Sequence, residues 1–465
     1  MHNPAMSAEN TLTNLLACPR CDKTPLLHKG KTYHCAACKT EFPVIGGIPW
    51  LFADPDATLG EWRNRLHFSL QQLSHESKRL AAELAANGQR ELTQQRLQQL
   101  KTATEQHRDK LRKILAPIDI QSMQVSYESH LAMRTRLPID QGLNTYYANV
   151  HRDWAWGKLE NEASLQQITA ALVASGGTAS DNTLVLGAGA CRLAYDLHRA
   201  TNSGRTIALD FNPLLLLIAR QIVNGEKLQM YEFPIAPKSM RDVAILRTLS
   251  APEVPAADFC FVLADVLRPP FSPASFDTIV TPWLIDIVSE DLPIFAARIN
   301  QLLKPGGRWI NFGSLNFDHP QRSRRYSTEE VLLIVEETGF SAPQLSQATI
   351  PYMCSPASCH GRQETVFTFC ATKQEEAPKP GRHKALPDWI VKGDEPVPLL
   401  PSFKTQTLTT QIYAFIMSLV DDKRSIVDMA KVLEQQKLMT RKEAEPAIRN
   451  FLTRMYDDSQ RKSGF

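Results

Sequence analysis

The sequence predicts an α/β protein: a Rossmann-like sheet preceded by a four-cysteine metal-binding segment and a helical connector, and followed by a small helical, winged-helix-like domain. Three observations carry this. Short apolar runs alternate with helical segments from Thr183 to Lys373, the texture of βα units feeding a parallel sheet. The first of those runs ends in a GxG turn that opens into a helix. Two CxxC pairs lie within residues 15–52, a stretch too short to build a hydrophobic core of its own.

At 465 residues the chain exceeds what one core usually organises, so two or three domains are expected. An apolar fraction of 43% and a charged fraction of 22% are those of an ordinary globular protein, which argues against a disordered or membrane-embedded class. No uncharged apolar run reaches the roughly 18 residues that span a bilayer. The N-terminal MHNPAMSAENTLTN lacks the basic and apolar regions of a secretory signal, so a cytoplasmic location is expected and the nine cysteines are expected to be reduced. A net charge of +3 is too small to draw nucleic acid through the whole-molecule field, which leaves only a local basic patch open.

The elements follow in order. Residues 12–54 hold Cys18 and Cys21 in CPRC and Cys35 and Cys38 in CAAC; each pair can place two thiolates on one turn, and two such turns complete a tetrahedral S₄ shell suited to structural Zn²⁺. Reduced or redox-active dithiols are the alternative. With all four ligands from protein no position is open for catalysis, so the metal is expected to fold its own segment and to leave cofactor affinity elsewhere largely intact. Residues 55–143 form a connector, in which 60–116 carries Gln, Leu, Lys and Arg at helical spacing and reads as one or two surface helices. The sheet domain occupies 144–373, with strands expected in TLVLGAG, TIALDF, FCFVLADV, FDTIVTPW and RWINFGSL, and ETVFTFCATK as an antiparallel edge strand. The insert between Asn224 and Asp258 reads as an embellishment. Residues 374–400, rich in Pro, Lys and Glu, read as an exposed linker, and 401–465 as three amphipathic helices with Thr440 as an N-cap.

The chemistry concentrates at the strand ends. In LVLGAGACRLAYDL the strand ends at Leu186, and Gly187 and Gly189 let the backbone pass close to a ligand. Asp210 ends the next strand about twenty residues on, where a carboxylate accepts hydrogen bonds from both ribose hydroxyls of a nucleotide. Asp265 ends a third strand, where in this class an acidic side chain and the backbone that follows meet the adenine. A helix cap or turn is the alternative for each aspartate. The KPGG of INQLLKPGGRWINFG is a frequent mark of S-adenosylmethionine-dependent methyltransferases. The third glycine of a dinucleotide fingerprint is replaced by the region of Leu193 and Ala194, which argues against a dehydrogenase.

With these residues in place the chain resembles the carnosine N-methyltransferase family from about Asn144 to Lys373. HRDW at His151–Trp154, GAGACRLAYDL, LIDI at Leu284–Ile287, WINFGSLNF at Trp309–Phe317 and YSTEEVLLIVEETGF match the family's motifs in order. The resemblance implies a class I methyltransferase sheet. It also implies that Arg152 holds the carboxylate of S-adenosylmethionine, that Gly187, Gly189 and Arg192 line its methionine and sugar, and that Asp210, Asp265 and Val266 complete the cofactor pocket. Asp286 matches the aspartate facing the acceptor nitrogen and is the catalytic candidate, with a helix cap as its alternative. The segment LLACPRCDKTPLL…YHCAACKTEFPVIGGIPWL resembles the zinc ribbons of the small partner protein that activates several tRNA and translation-factor methyltransferases, which implies a platform beside the catalytic domain.

Departures from the family concern the acceptor. Asp318 stands where the family has a histidine, His319 is displaced by one, and the region of Arg362 and Glu364 replaces the substrate-contacting tyrosines. Asp318, His319 and Arg362 are therefore the substrate-binding candidates of a changed pocket. Cys354, Cys359 and His360 lie in the same variable loop but lack an evident further ligand for a second metal. Residues from about Leu400 to Asp458 are faintly similar to the small peptide-binding proteins of pyrroloquinoline quinone synthesis, with a helix-packing cap or dimer contact as the alternative. The expected activity is N-methylation of a small amine, imidazole or peptide-like molecule, with no membrane partner. Two other readings stay open: an RNA methyltransferase using the ribbon to hold RNA, which a basic stripe with stacking aromatics would favour, and a noncatalytic scaffold that keeps the cofactor fold, which failure to bind cofactor would favour.

Overall fold

A computed structural model describes residues 12–120, 146–383 apart from 178–179, 202, 256–257 and 320, and 396–461. The expected start of the sheet domain at Asn144, the middle of the expected linker and most of the N-terminal stretch MHNPAMSAENTLTN lie outside the described residues. Contacts divide the chain into a unit ending at His383 and a second unit from Lys384 onward.

The cysteine segment folds as a four-stranded antiparallel sheet in sequence order: β1 (Leu27–Lys29), β2 (Thr32–His34), β3 (Glu41–Ile45) and β4 (Ile48–Pro49). Strands this short enclose almost nothing between themselves, yet Leu26, Tyr33 and Phe42 are buried. The connector supplies α1 (Pro55–Ala85) and α2 (Glu91–Leu115). The Asp54 carboxylate caps α1 by accepting the Ala57 N–H.

After it come α3 (Tyr147–His151), which runs on into a π-helical turn, and α4 (Lys158–Ala174). The sheet domain then unrolls as β5 (Asn182–Leu186), α5 (Arg192–Ala200), β6 (Arg205–Asp210) and α6 (Pro213–Val223). The insert forms a separate antiparallel hairpin, β7 (Leu228–Glu232) and β8 (Ile245–Leu249). The remaining elements are β9 (Phe259–Leu263), β10 (Phe276–Pro282), α7 (Leu292–Leu302), β11 (Leu303–Gly313), α8 (Thr328–Glu337), β12 (Gln344–Tyr352) and β13 (Arg362–Thr372).

Seven strands form one sheet in the order β12-β13-β11-β10-β5-β6-β9. The five strands from β11 to β9 are parallel and β13 runs against its neighbours β11 and β12. The ETVFTFCATK segment is therefore not the edge: β12 lies outside it. Of the nine residues in β12 only Ile350 is buried, as befits an outer strand.

Two buried clusters cover the two faces of the sheet, and the ribbon contributes to both. Ile45, Ile48, Trp50 and Phe52 pack with Val185, Ala208 and Ile310 on one face. Leu16, Leu26, Tyr33, Phe42 and Leu51 pack with Leu209, Val262 and Trp309 on the other. The connector is likewise more than a pair of surface helices. Trp62, Leu66, Leu70 and Leu73 of α1 and Leu111, Ile114 and Leu115 of α2 belong to the first cluster. Their helical spacing makes an apolar stripe. Its counterpart in the cluster includes α6, PLLLLIARQIV, which is buried along nearly its whole length as a helix apolar on all sides must be.

The segment after β13 also departs from the expected exposed linker. Asn300 accepts the Ala377 N–H at 3.1 Å and donates to Glu375 C=O at 3.0 Å, Arg298 donates to Gly381 C=O at 2.9 Å, and Ala377 is buried. Residues 374–383 are thus strapped down, because their backbone groups meet side chains of α7, whereas 396–400 are exposed as expected.

The second unit contains α9 (Pro401–Ser418), α10 (Ile426–Gln435) and α11 (Arg441–Arg461), closed around Ile416, Leu419, Met429, Leu433 and Ile448. Thr440 stands directly before α11 and donates both its backbone N–H and its hydroxyl to the Glu443 carboxylate, while its C=O accepts the Glu443 N–H; its hydroxyl thus acts as a donor to the side chain of Glu443. No strand occurs among its described residues, so the expected wing is absent there: the connections 419–425 and 436–440 are too short and polar for a hairpin. No helix among the described residues is long and apolar enough to cross a membrane.

Trp50 is fully buried and donates its indole N–H to Pro55 C=O at 3.1 Å, joining ribbon and connector. Trp50→Ala is expected to destabilise the whole first unit by about 3–5 kcal/mol. In denaturant this shifts its main unfolding transition, followed by far-UV circular dichroism and tryptophan fluorescence. A ribbon that melts alone, with the main transition unmoved, contradicts the shared core.

Candidate active site

The order of strands reverses between β5 and β10, since the chain steps from β5 to β6 and β9 on one side and returns to β10 on the other. In open α/β sheets a ligand crevice forms at the carboxyl ends on either side of such a reversal. Gly187 follows β5 there with φ +69°, and a Cβ on it would stand 2.9 Å from Cδ1 of Leu284, which follows β10. Glycine is required both by the backbone conformation and by this close approach. The next residue of helical α5 is preceded by Cys191, a non-glycine held at φ +67°.

Asp210 ends β6 and ties the turn together. Its Oδ2 accepts the Gly189 N–H at 2.8 Å and its Oδ1 the Asn212 N–H at 2.8 Å. Burial pushes its carboxyl up to about 6, against the lowering effect of the Asn212 and Gly189 backbone bonds. The Asp210 C=O in turn accepts the Ala264 N–H at 3.1 Å, which brings the end of β9 alongside. Asp265, next in the chain, is half-buried with Val266, and its Oδ1 accepts the Leu267 N–H at 2.8 Å. Gly187, Gly189, Asp210, Asp265 and Val266 thus lie along neighbouring carboxyl ends.

The two arginines of the expected cofactor pocket are held by protein partners. Arg152 donates Nε to Asp153 at 2.7 Å and Nη1 to Glu160 at 3.2 Å, and the other oxygen of Glu160 accepts the Met353 N–H at 2.7 Å. Burial alone would weaken the Arg152 cation, but Asp153 and Glu160 hold its pKa above the usual value. Nη2 takes part in neither bond. Arg192 donates Nε to Asp196 at 2.8 Å and Nη1 to Asp153 C=O at 3.0 Å, with its guanidinium 5.4 Å from the ring centre of Trp154.

On the other side of the reversal, Trp283 follows β10 at φ +51°, pressed against Gly313, where a Cβ would stand 2.9 Å from the Trp283 backbone. The ring of Trp283 lies 4.9 Å from that of Tyr352, and the Arg362 guanidinium covers Tyr352 at 4.5 Å while pairing with Glu364 at 2.7 Å. Tyr146 connects the two sides electrostatically: burial, then the charges of Asp210 and Tyr352, raise its phenol pKa. Asp286 Oδ2 accepts the Ser314 hydroxyl at 2.8 Å and the Asn316 N–H at 2.9 Å. Its Oδ1 has no hydrogen-bond partner among the described residues.

Asp318 and His319 follow Asn316 on the same loop, and their own bonds stay within it. The Asp318 side chain is 84% exposed and pairs with Arg325 at 3.2 Å. His319 Nδ1 accepts the Gln321 N–H at 3.0 Å and its C=O accepts from Arg325. These contacts hold a loop, and none of them links either residue to Asp286. Sequence reasoning missed Trp283, Tyr352, Glu160 and Ser314. Ser314 directly follows the WINFG strand and was findable as a strand-end polar residue; the positive φ of Trp283 has no signal in the sequence.

The four cysteine Sγ atoms lie within 4.8 Å of one another, with Cys18–Cys38 at 3.6 Å and Cys21–Cys35 at 3.5 Å. A tetrahedral ion with metal–sulfur bonds of about 2.3 Å needs sulfur–sulfur edges of about 3.8 Å, so the donor set fits one such ion. The two turns match: Asp22 N–H donates to Cys18 C=O and Lys39 N–H to Cys35 C=O, each at 2.9 Å, and both residues have φ +62°. All nine cysteines are unpaired by disulfide. Among the described residues no other cluster of three or more metal-ligating groups occurs, and Cys354 instead points its thiol at the carbonyls of Tyr352 and Arg362.

A mixed sheet in this order, reversing at a glycine turn with a carboxylate at the end of the next strand, defines a class I methyltransferase fold. The family follows from the sequence: the profile of carnosine N-methyltransferase matches residues 138–375, just over half of the chain, and the chain belongs to that family. A carnosine N-methyltransferase of Dictyostelium discoideum is 28% identical over 194 residues, 37% of this chain and 41% of its own. The carnosine N-methyltransferase unmet of Drosophila melanogaster is 26% identical over 277 residues, 53% of this chain and 59% of its own. The chain thus spans about half the length of the curated relatives it matches. Among solved structures, the N-methyltransferase NodS of Bradyrhizobium japonicum WM9 with S-adenosyl-L-homocysteine aligns with 50% of this chain and 100% of its own, at 16% identity and a TM-score of 0.32. A likeness of that extent carries no weight.

The raised pKa of Asp210 means that the folded, ligand-free protein holds this proton more tightly than the unfolded chain does. Its contribution to stability is full below the unfolded value near 4 and is lost as pH rises through about 6. A shift of this size is worth on the order of 3 kcal/mol. Asp210→Asn is expected to flatten the pH dependence of unfolding between pH 4 and 7.5 by about that amount, read from denaturant midpoints of cofactor-free protein. Parallel pH profiles for parent and variant would contradict a buried, ionising Asp210.

Proposed function

We propose that this chain is an S-adenosylmethionine-dependent N-methyltransferase acting on a small imidazole- or amine-bearing acceptor of peptide-like character. The observation that carries this is that the family match runs through the residues converging on the sheet's reversal, from Arg152 through Gly187 and Asp210 to Asp286 and Arg362. The cofactor supplies a methyl group already activated on a sulfonium, so the protein's own work is alignment and proton handling. Asp210, once ionised, exchanges its bonds to backbone N–H groups for ribose hydroxyls. Asp265 and Val266 face the adenine, Gly187 and Gly189 let the backbone approach, and Arg192 lines the pocket. Arg152 reaches the carboxylate through the guanidinium edge that Asp153 and Glu160 leave open.

On the acceptor side Asp286 is oriented by Ser314 and Asn316 through one oxygen, and the other receives the proton of the nitrogen being methylated. Trp283 and Tyr352 supply an aromatic wall, with Arg362 at its outer end to meet an acceptor carboxylate. Asp318 and His319 contribute through their loop. The ribbon holds one structural Zn²⁺ on Cys18, Cys21, Cys35 and Cys38. RNA methylation is less well supported, because the cations that gather at the ribbon, Arg268, Lys379 and Arg382, form one small cluster around Asp22 in which Arg268 is largely buried, and not a basic stripe.

Calorimetric titration with S-adenosylhomocysteine is expected to show one site per chain; no binding would turn the reading toward a noncatalytic scaffold. Asp286→Asn keeps the side chain's size and removes its basicity. It is expected to bind the cofactor as the parent does while methylating carnosine or a related imidazole peptide at least about tenfold more slowly. Unchanged turnover would reduce Asp286 to a loop anchor.

Metal analysis is expected to find one zinc per chain in the parent and a clear loss in Cys18→Ser and in Cys35→Ser. Full occupancy in both variants would refute the four-cysteine site.

A further inference from the structure

The stretch Leu263–Ser272 carries Asp265 and Val266, and the ribbon grips it at both ends. At the start, Leu51 N–H donates to Leu263 C=O at 2.7 Å beside a parallel bridge from Trp50 to Leu263. At the finish, Ala17 N–H donates to Pro270 C=O at 2.9 Å and Ser272 N–H to Leu15 C=O at 2.8 Å. Between these clamps lies Arg268, whose side chain is only 13% exposed. Its backbone N–H closes the Asp265 turn by donating to Asp265 C=O at 3.0 Å. Its guanidinium reaches the other way, into the CPRC knuckle: Nη2 donates to the carbonyls of Pro19 and Arg20, the latter at 3.2 Å, and lies 3.7 Å from the Asp22 carboxylate. From the strap, Arg382 donates to Cys21 C=O at 2.9 Å and to Asp22 at 2.8 Å. The carbonyls of three successive residues, Pro19 to Cys21, thus point at two guanidinium groups.

We infer that Arg268 is a positioning residue that couples the four-cysteine knuckle to the cofactor loop, so that metal in the ribbon sets the affinity for S-adenosylmethionine. This rests on the cofactor reading proposed above. It replaces the expectation that metal loss leaves cofactor affinity intact, which assumed a ribbon folding apart from the sheet. Carbonyls can converge on one cation only while their turn is held, and the knuckle is held by its two thiolates meeting one ion. When the ion leaves, the knuckle is free to open, Arg268 loses the Pro19 and Arg20 carbonyls and keeps only that of His383, to which its Nη1 donates at 3.3 Å, and the Asp265 turn loses the side chain anchored one turn away. Coupling of this kind is a free energy shared between two sites and therefore appears as non-additivity.

The test is a four-way titration of full-length protein with S-adenosylhomocysteine by calorimetry: parent and Arg268→Ala, each zinc-loaded and chelator-treated, with zinc content and thermal midpoint measured on every sample. In the parent, zinc removal is expected to weaken binding at least about tenfold, the usual scale of coupling between sites. Zinc-loaded Arg268→Ala is expected to retain its zinc yet bind about tenfold more weakly, with zinc removal then changing affinity by less than about threefold. Arg268→Lys, which keeps the charge but reaches fewer carbonyls, is expected to fall between. Should chelation unfold the protein, the zinc-loaded Ala and Lys variants decide the matter alone: affinity equal to the parent's in both overturns the coupling. Zinc and Arg268 acting additively also overturns it. A parent that binds no S-adenosylhomocysteine overturns the cofactor reading, and the coupling with it.

Discussion

The free edge of β9 is the constraint on which the rest of this structure depends. An edge strand presents unpaired N–H and C=O groups that must be met by water or covered. Here the N-terminal segment meets that edge at its carboxyl end, where Trp50 and Leu51 join Leu263, and continues along the loop beyond it through the Leu16–Phe271 bridge. Once the ribbon is docked there, its apolar residues have nowhere to go but the two faces of the same sheet, and they join both buried clusters. The cysteine knuckle consequently stands beside the loop after β9, which is the loop expected to meet adenine. A segment too small to own a core thus becomes the support of the loop after β9.

The crevice itself is organised by buried charge that is compensated on one side only. Asp210 is satisfied by backbone N–H groups, yet its burial leaves its carboxyl near neutrality. Arg152 is balanced by Asp153 and Glu160, and Asp286 is anchored by a single oxygen. Such groups cost about 1–3 kcal/mol each when left without partners. All three keep unused hydrogen-bonding capacity close to the strand ends where a ligand carrying hydroxyls, a carboxylate and a basic nitrogen would be bound.

Much of this was legible before any coordinates. Alternating apolar runs located five parallel strands, GAGAC located the glycine turn, and the spacing of the cysteines predicted a cluster that the fold assembles to within 4.8 Å. The illegible parts share a cause: they depend on partners distant in the chain. The Leu stripe of α1 reads as a surface helix until α6 is known to lie in the same core. β12 buries only Ile350 because it is an outer strand, and strand pairing leaves no mark on composition. The strap 374–383 looks like a linker because its anchors, Asn300 and Arg298, sit on α7. Asp318 and His319 were placed by alignment with a family motif, and their loop reaches Asp286 through the Asn316 N–H and is closed by Arg325, a pairing no local pattern announces.

The central claim is that one crevice, at the reversal of the sheet, binds the cofactor, and that the ribbon holds the loop after β9 that serves it. Hydrogen exchange of the full chain, with and without saturating S-adenosylhomocysteine, tests this most directly because it reports backbone protection segment by segment. The account predicts slowed exchange in 187–190, 210–212 and 264–268, extending into 18–22 of the cysteine knuckle. Protection confined to the connector or the second unit, or protection of the strand ends with the knuckle unchanged, would contradict it.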